Sequence, residues 1–258
     1  MAAVRARFPA LAGGAAYLDG PGGSQVPRQV LEAIDACLRE SNANLGGAFA
    51  TSAAAVEVME GGRTAAAEFT GGEADGIAFG ANMTTLNFLL AHAVARTLEP
   101  GDEIVVTQLD HDANVSPWLL IAADHDLVVR HAPIRPRDVT LDLEALEELI
   151  GDRTRVVAFT LASNAVGSIT DPARIAAAAH RVGALAWADA VHLAPHRRLR
   201  AREWGLDVLL CSPYKFFGPH LGVAAIRSDL AASLPADRVR PAEQTPPGHR
   251  FETGTQSH

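Results

Sequence analysis

Short apolar segments alternate with helical patterns along most of the 258-residue chain. This alternation predicts an α/β fold with a mostly parallel sheet sandwiched by helices. One predicted helix carries an interruption at Gly61 and Gly62. The predicted strands are 76–79, 103–107, 127–131, 156–161, 184–189, 207–211 and 223–226, and the predicted helices are 26–40, 51–69, 84–96, 117–123, 143–150 and 171–182.

Four polar residues directly follow predicted strands: His111, Asn164, Asp189 and Lys215. In sheets of this type, ligands bind beyond the carboxyl ends of the strands. We therefore expect one site to collect all four side chains.

Lys215 stands between two apolar strands, where a charge is costly unless it is used or suppressed. Asp189 ends the preceding apolar strand. A strand-end carboxylate followed by a strand-end lysine is what a pyridoxal phosphate site needs. The lysine forms the Schiff base, and the carboxylate pairs with the pyridinium nitrogen. Lys215, Asp189 and His111 are therefore the predicted catalytic residues.

Other residues fit the remaining parts of such a cofactor. At the position of His111, an imidazole would stack on the ring and move protons at neutral pH. Asn164 would hydrogen bond to the ring hydroxyl, although a turn asparagine is common. Segment 79–87 joins a strand to a helix whose first amides would hold the phosphate, but Asn82 or Thr84 could simply cap that helix. The hydroxyls expected beside the same phosphate belong to Ser212 and Tyr214.

Composition excludes several classes of protein. The net charge of −8 argues against a nucleic-acid surface. Two cysteines, Cys37 and Cys211, suit a reducing cytosol, and no Cys/His spacing typical of a metal site occurs. No apolar stretch predicts a membrane span, and no signal peptide is recognised, so a cytoplasmic location is expected.

The motifs together resemble the class V aminotransferase family of fold-type-I pyridoxal phosphate enzymes, in particular its cysteine-desulfurase-like group. Three segments carry the resemblance: Tyr-Leu-Asp-Gly-Pro-Gly-Gly at 17–23, Ser-Pro-Tyr-Lys-Phe-Phe-Gly-Pro-His at 212–220, and Phe-Glu-Thr-Gly-Thr at 251–255. It implies that Thr255 reaches the phosphate of the other subunit, and hence a homodimer. The residues implied around the chain's own phosphate are Ala81, Asn82, Met83 and Ser212.

The resemblance also implies a domain organisation. Residues 1–25 would form an N-terminal arm at the mouth of the active site, and residues 26–258 the cofactor-binding large domain. A C-terminal small domain would be absent from this chain, together with its substrate-binding arginine and the nucleophilic cysteine of desulfurases. Neither Cys37 nor Cys211 matches that cysteine, and both are expected to be small core residues.

Three departures from the desulfurase pattern leave the reaction open. His192 replaces a glutamine, Tyr214 replaces a histidine, and the loop 44–47 lacks basic residues. His192 and Tyr214 remain among the expected cofactor-binding residues. The first hypothesis is a cysteine desulfurase that converts a small amino-acid substrate to alanine and passes sulfur to a possible acceptor protein. The alternatives are an epimerase or kynureninase-like lyase of the same fold, and a truncated, catalytically incompetent fragment or paralogue.

Overall fold

The computed structural model describes residues 2–242 and 244–254, so the predicted role of Thr255 lies outside the described residues. The strands are β1 (Ile77–Gly80), β2 (Glu103–Thr107), β3 (Val128–Ala132), β4 (Ile134–Arg135), β5 (Thr140–Leu141), β6 (Thr154–Thr160), β7 (Leu185–Asp189), β8 (Val208–Cys211) and β9 (Gly222–Ile226). The helices are α1 (Ala2–Arg5), α2 (Arg28–Glu40), α3 (Ala50–Thr70), α4 (Met83–Ala95), α5 (Ser116–His125), α6 (Leu143–Leu149), α7 (Pro172–His180) and α8 (Ser228–Ser233).

The main sheet has the strand order β1-β9-β8-β7-β6-β2-β3. All neighbouring pairs are parallel except those of β9, which runs antiparallel to both β1 and β8. Strands β4 and β5 form a separate small hairpin that the sequence analysis did not predict. The predicted mostly parallel sheet is therefore confirmed.

Two hydrophobic clusters cover the two faces of this sheet. Val105 and Val157 belong to one cluster, whereas their chain neighbours Ile104 and Val156 belong to the other, as the two-residue period of a strand requires. The first cluster includes residues of α3, α6 and α7, and the second includes residues of α4, α5 and α8. Helices thus sandwich the sheet as predicted.

The predicted interruption at Gly61 and Gly62 is wrong, because α3 runs unbroken through both. The next residue, Arg63, is fully buried and forms a two-pronged ion pair with Glu252, with N···O distances of 2.9 and 2.8 Å. Its guanidinium also donates to the Ile77 carbonyl at 2.8 Å. This anchoring outweighs the weak helix propensity of glycine, about 1 kcal/mol per residue.

Among the described helices, none combines the length and apolarity that crossing a bilayer requires.

Candidate active site

Two adjoining cavities open at the carboxyl ends of the parallel strands. The inner cavity, of about 620 Å³, and the outer cavity, of about 670 Å³, share His192 and Lys215 in their walls. Asn164 lines the outer cavity and not the inner one. The predicted residues that line the inner cavity are Ala81, Asn82, Met83, His111, Asp189, His192, Ser212, Tyr214 and Lys215.

Lys215 ends a 3-10 turn that directly follows β8. Its Nζ donates a hydrogen bond to the carbonyl of Pro21 and lies 4.9 Å from the centre of the Tyr214 ring. Burial lowers the pKa of Lys215, while the charges of Asp19 and Asp189 oppose that change. A lowered pKa increases the neutral, nucleophilic fraction of the amine.

Asp189 is the last residue of β7 and is 3% exposed. Its Oδ1 accepts a hydrogen bond from the Val191 amide at 2.8 Å. Burial raises the pKa of Asp189 to about 6, although the Val191 bond and the charges of His111 and Lys215 pull it down. Within the described part of the chain, no cation forms an ion pair with this carboxylate. It is therefore a buried acid with an unused oxygen beside a cavity.

The two histidines of the inner cavity differ in their constraints. Nδ1 of His111 accepts a hydrogen bond from the Ala113 amide at 3.0 Å, so the neutral ring carries its hydrogen on Nε2. His192 is half-buried, and burial lowers its pKa to about 4, with further lowering by the charges of Lys215, His111 and His196. His192 is therefore an uncharged part of the cavity wall at neutral pH.

The N-terminus of α4 forms the far end of the inner cavity. Asn82 caps this helix by accepting from the Thr85 amide at 2.8 Å, while the Met83 amide donates to Ser212 Oγ at 3.0 Å. Because Ser212 accepts with its oxygen, its hydroxyl hydrogen is left for an anion. Gly222 permits the close approach of β9, since a Cβ there would lie 2.4 Å from the Asn82 carbonyl carbon.

The N-terminal segment packs against the lysine turn. Ser24 donates from its amide and its hydroxyl to the Tyr214 carbonyl at 2.9 and 3.0 Å, and its oxygen accepts from the Phe217 amide at 2.6 Å. Phe217 has a φ of +73°, a left-handed conformation that is unusual for an aromatic residue. His220 stacks on Tyr214 with ring centres 4.5 Å apart.

Sequence reasoning missed several residues of this site, among them Pro21, Ser24, Thr85 and His220. The signal for Pro21 and His220 was present, because both lie within the segments on which the family resemblance rested. The contacts of Pro21 with Lys215 and of Ser24 with Tyr214 join segments almost two hundred positions apart, for which neither periodicity nor turn chemistry carries information.

Both cysteines are buried away from the two cavities, as expected for small core residues. Cys211 is fully buried in β8, and burial together with the charge of Asp189 raises the pKa of its thiol. Cys37 is 8% exposed on α2. Neither thiol lines the inner or the outer cavity.

Known proteins with the same architecture share this arrangement of strands. The cysteine desulfurase of Thermococcus onnurineus NA1, solved without ligand, superimposes with a TM-score of 0.90 at 28% identity, covering 98% of this chain and 66% of that one. In sequence, the aminotransferase-like protein FGM3 of Gibberella zeae is 36% identical over 226 residues, 85% of this chain and 56% of that protein. A cysteine desulfurase of Pectobacterium atrosepticum is 32% identical over 241 residues, 90% of this chain and 59% of that enzyme.

The chain thus spans less than three fifths of the length of these two curated relatives. The sequence pattern of the family described as "Aminotransferase class-V" matches residues 16–257, nearly the whole chain. The chain belongs to the class V aminotransferase family.

Proposed function

We propose that the protein is a pyridoxal phosphate enzyme that acts on an amino acid as a cysteine desulfurase does. The observation that carries this proposal is the meeting of Lys215, Asp189 and His111 in one cavity beside the N-terminus of α4. Cysteine desulfurases among the relatives favour this reaction over epimerisation or a kynureninase-like cleavage.

The inner cavity fits the cofactor on the chemistry of its donors. Asp189 offers a buried carboxylate oxygen that no other described residue uses, which suits a cationic ring nitrogen. In the same cavity, the Ser212 hydroxyl and the dipole of the 13-residue helix α4 suit a phosphate. Lys215 offers an amine of lowered pKa in the same wall.

Pyridoxal phosphate, when bound, supplies an electron sink for the pair released when a bond at the substrate Cα breaks. In this proposal, Lys215 provides the amine that takes up the Cα proton. His111 would face the bound ring, and its Nε2 is the nitrogen that could exchange protons there, because Ala113 occupies Nδ1. Asp189 would hold the ring nitrogen in its protonated form, and His192 would form an uncharged part of the wall shared by the two cavities.

The sulfur must leave to a thiol that these two cavities do not contain. Cysteine and a thiol give alanine and a persulfide: the Cβ–S bond breaks, the thiol sulfur forms the new S–S bond, and Cβ gains a proton. Because Cys37 and Cys211 are buried away from the cavities, we propose that the acceptor thiol comes from elsewhere, such as a sulfur-acceptor protein.

Two further proposals concern organisation. Residues 1–25 act as an arm at the mouth of the site, supported by the contacts of Pro21 with Lys215 and of Ser24 with Tyr214, and residues 26–258 act as the cofactor-binding domain. The protein works as a homodimer, supported by an apolar groove of about 460 Å³ along α3 that includes the exposed Val58. A cytoplasmic location suits the two unpaired cysteines.

The test is to incubate the protein with pyridoxal phosphate, L-cysteine and dithiothreitol, and to measure alanine and sulfide. We expect both products in equal amounts, and neither product from Lys215→Ala, which also loses the visible absorbance of bound cofactor. The absence of both products from a protein that shows that absorbance contradicts the desulfurase proposal.

A further inference from the structure

A chain of polar side chains, most of them buried, leads from Trp187 on β7 to the turn that carries His111. Trp187 Nε1 donates to Asn87 Oδ1 at 2.8 Å, and Asn87 Nδ2 donates to Asn114 Oδ1 at 3.2 Å. Asn114 Nδ2 donates to Asp110 Oδ1 at 2.7 Å, and the Thr107 hydroxyl is hydrogen bonded to Asp110 Oδ2. Asp110 is half-buried, whereas the other four members of this polar chain are at most 2% exposed.

The indole fixes the direction of the three bonds that lead from Trp187 to Asp110. Because Trp187 can only donate, Asn87 must present its oxygen there and its amide nitrogen to Asn114. Asn114 therefore presents its own nitrogen to Asp110, so Asp110 Oδ1 must accept. The bond between Oδ2 and the Thr107 hydroxyl can run in either direction, so Oδ2 is the position that can carry a proton.

The electrostatic surroundings favour the protonated form. Burial raises the pKa of Asp110 to about 8, the charge of Asp189 on β7 adds to the rise, and the bonds from Asn114 and Thr107 reduce it. Strand β6 contributes only a backbone hydrogen bond at Thr160. The positive side chains of this region, His111 and Lys215, act on Asp189. The neighbouring carboxyls of Asp110 and Asp189 therefore hold one proton between them near neutral pH.

We infer that Asp110 is a positioning residue: it holds the shared proton, fixes the turn that carries His111, and leaves Asp189 as the one ionised acid under the cavity. Asp189 is the acidic residue among the described residues that line the inner cavity, so it alone faces a bound cation. The effect on a bound cofactor rests on the proposed function, whereas the measurement of stability against pH does not. Ionisation of Asp110 would place a second negative charge beside Asp189 and weaken the arrangement.

The test uses Asp110→Asn, a neutral isostere that can accept from Asn114 and donate to Thr107. Asp112→Asn is the matched control, because Asp112 is an exposed acid on the same turn. Melting temperatures are measured without cofactor from pH 6 to pH 9. The folded wild type holds a proton that the unfolded chain releases, so its stability falls until about pH 8. Asp110→Asn lacks this loss. The difference in melting temperature, variant minus wild type, should therefore increase by about 5 °C from pH 6 to pH 9.

A second measurement follows the visible absorbance of bound pyridoxal phosphate over the same pH range. Wild type and Asp112→Asn should show an alkaline transition that Asp110→Asn lacks. A constant difference between Asp110→Asn and wild type at every pH would show a merely structural role and overturn the inference, as would failure of this isostere to fold. Loss of the pH dependence in a protein that makes no alanine would sustain the inference and reject the desulfurase proposal.

Discussion

Two buried aspartates lie at opposite ends of the neighbouring parallel strands β7 and β8 and have very different surroundings. Asp207, just before β8, is 1% exposed and accepts from His180 Nε2 at 2.9 Å, from the Ala186 amide at 2.7 Å and from the Arg227 guanidinium. Asp189, at the end of β7, is 3% exposed, and its carboxylate accepts only from the Val191 amide among the described residues.

The difference separates an acid whose partners are all in the fold from one that we propose acts on a bound cofactor. Partners satisfy both oxygens of Asp207, so its burial ties α7, β7 and β9 together. Asp189 retains an oxygen that no described residue uses, and burial raises its pKa to about 6 despite the opposing charges of His111 and Lys215. Such a group destabilises the empty fold and becomes favourable when a cation is bound beside it.

The largest expected effect comes from Asp189→Asn. The amide still accepts from Val191 but cannot hold a ring nitrogen protonated, so we expect alanine production to fall about 10³-fold. Because the variant removes an unpaired buried charge, the cofactor-free protein should gain on the order of 1–3 kcal/mol in unfolding free energy at pH 7. Turnover assays and urea unfolding measure the two changes, and a loss of both activity and stability would break the comparison.

The opposite pattern is expected for Asp207→Asn. The amide cannot satisfy three donors, but His180 and Arg227 are half-exposed and can turn to water. The unfolding free energy should therefore fall by about 2–3 kcal/mol, while turnover per folded molecule stays close to wild type. Urea unfolding beside active-site titration with cofactor checks this result. Strong loss of turnover in the folded fraction would mean that Asp207 also shapes the site.

The smallest effect is expected for Cys211→Ala, although Cys211 lies next to Ser212 and near Asp189. Its thiol is fully buried, so we expect unchanged alanine production per folded molecule and an unfolding free energy lower by about 1 kcal/mol from the lost packing. Cys37→Ala on the remote helix α2 is the matched control. If only Cys211→Ala lost sulfur transfer to dithiothreitol, the thiol would have to reach the cavity.

The order of elements and the membership of the site could largely be predicted from the sequence. Strand β2 has the predicted bounds, and β1 is shifted by one residue at each end. His111, Asp189 and Lys215 could be assigned to one site because parallel strands place their carboxyl ends along one edge. The antiparallel direction of β9 was within reach as well, since the short connection at 212–221 is too brief for a parallel crossover.

Contacts between distant side chains could not be predicted in the same way. The bond between Lys215 and the Pro21 carbonyl, and the polar chain from Trp187 to Asp110, depend on how separate elements pack. A buried asparagine such as Asn87 has no distinguishing mark within a helical pattern. Only the three-dimensional neighbourhood reveals that its amide must link an indole to another amide.

The position of β9 has a consequence for the order in which the molecule can be completed during synthesis. Among the described residues, β1 is the first strand of the main sheet in chain order, and within that sheet it bonds only to β9, the last. Until Ala225 is available to pair with Ile77, β1 has no strand partner, and the Gly222 contact with Asn82 is missing. A nascent chain that stalls before β9 would therefore expose an unpaired apolar strand, which is the kind of surface that chaperones bind.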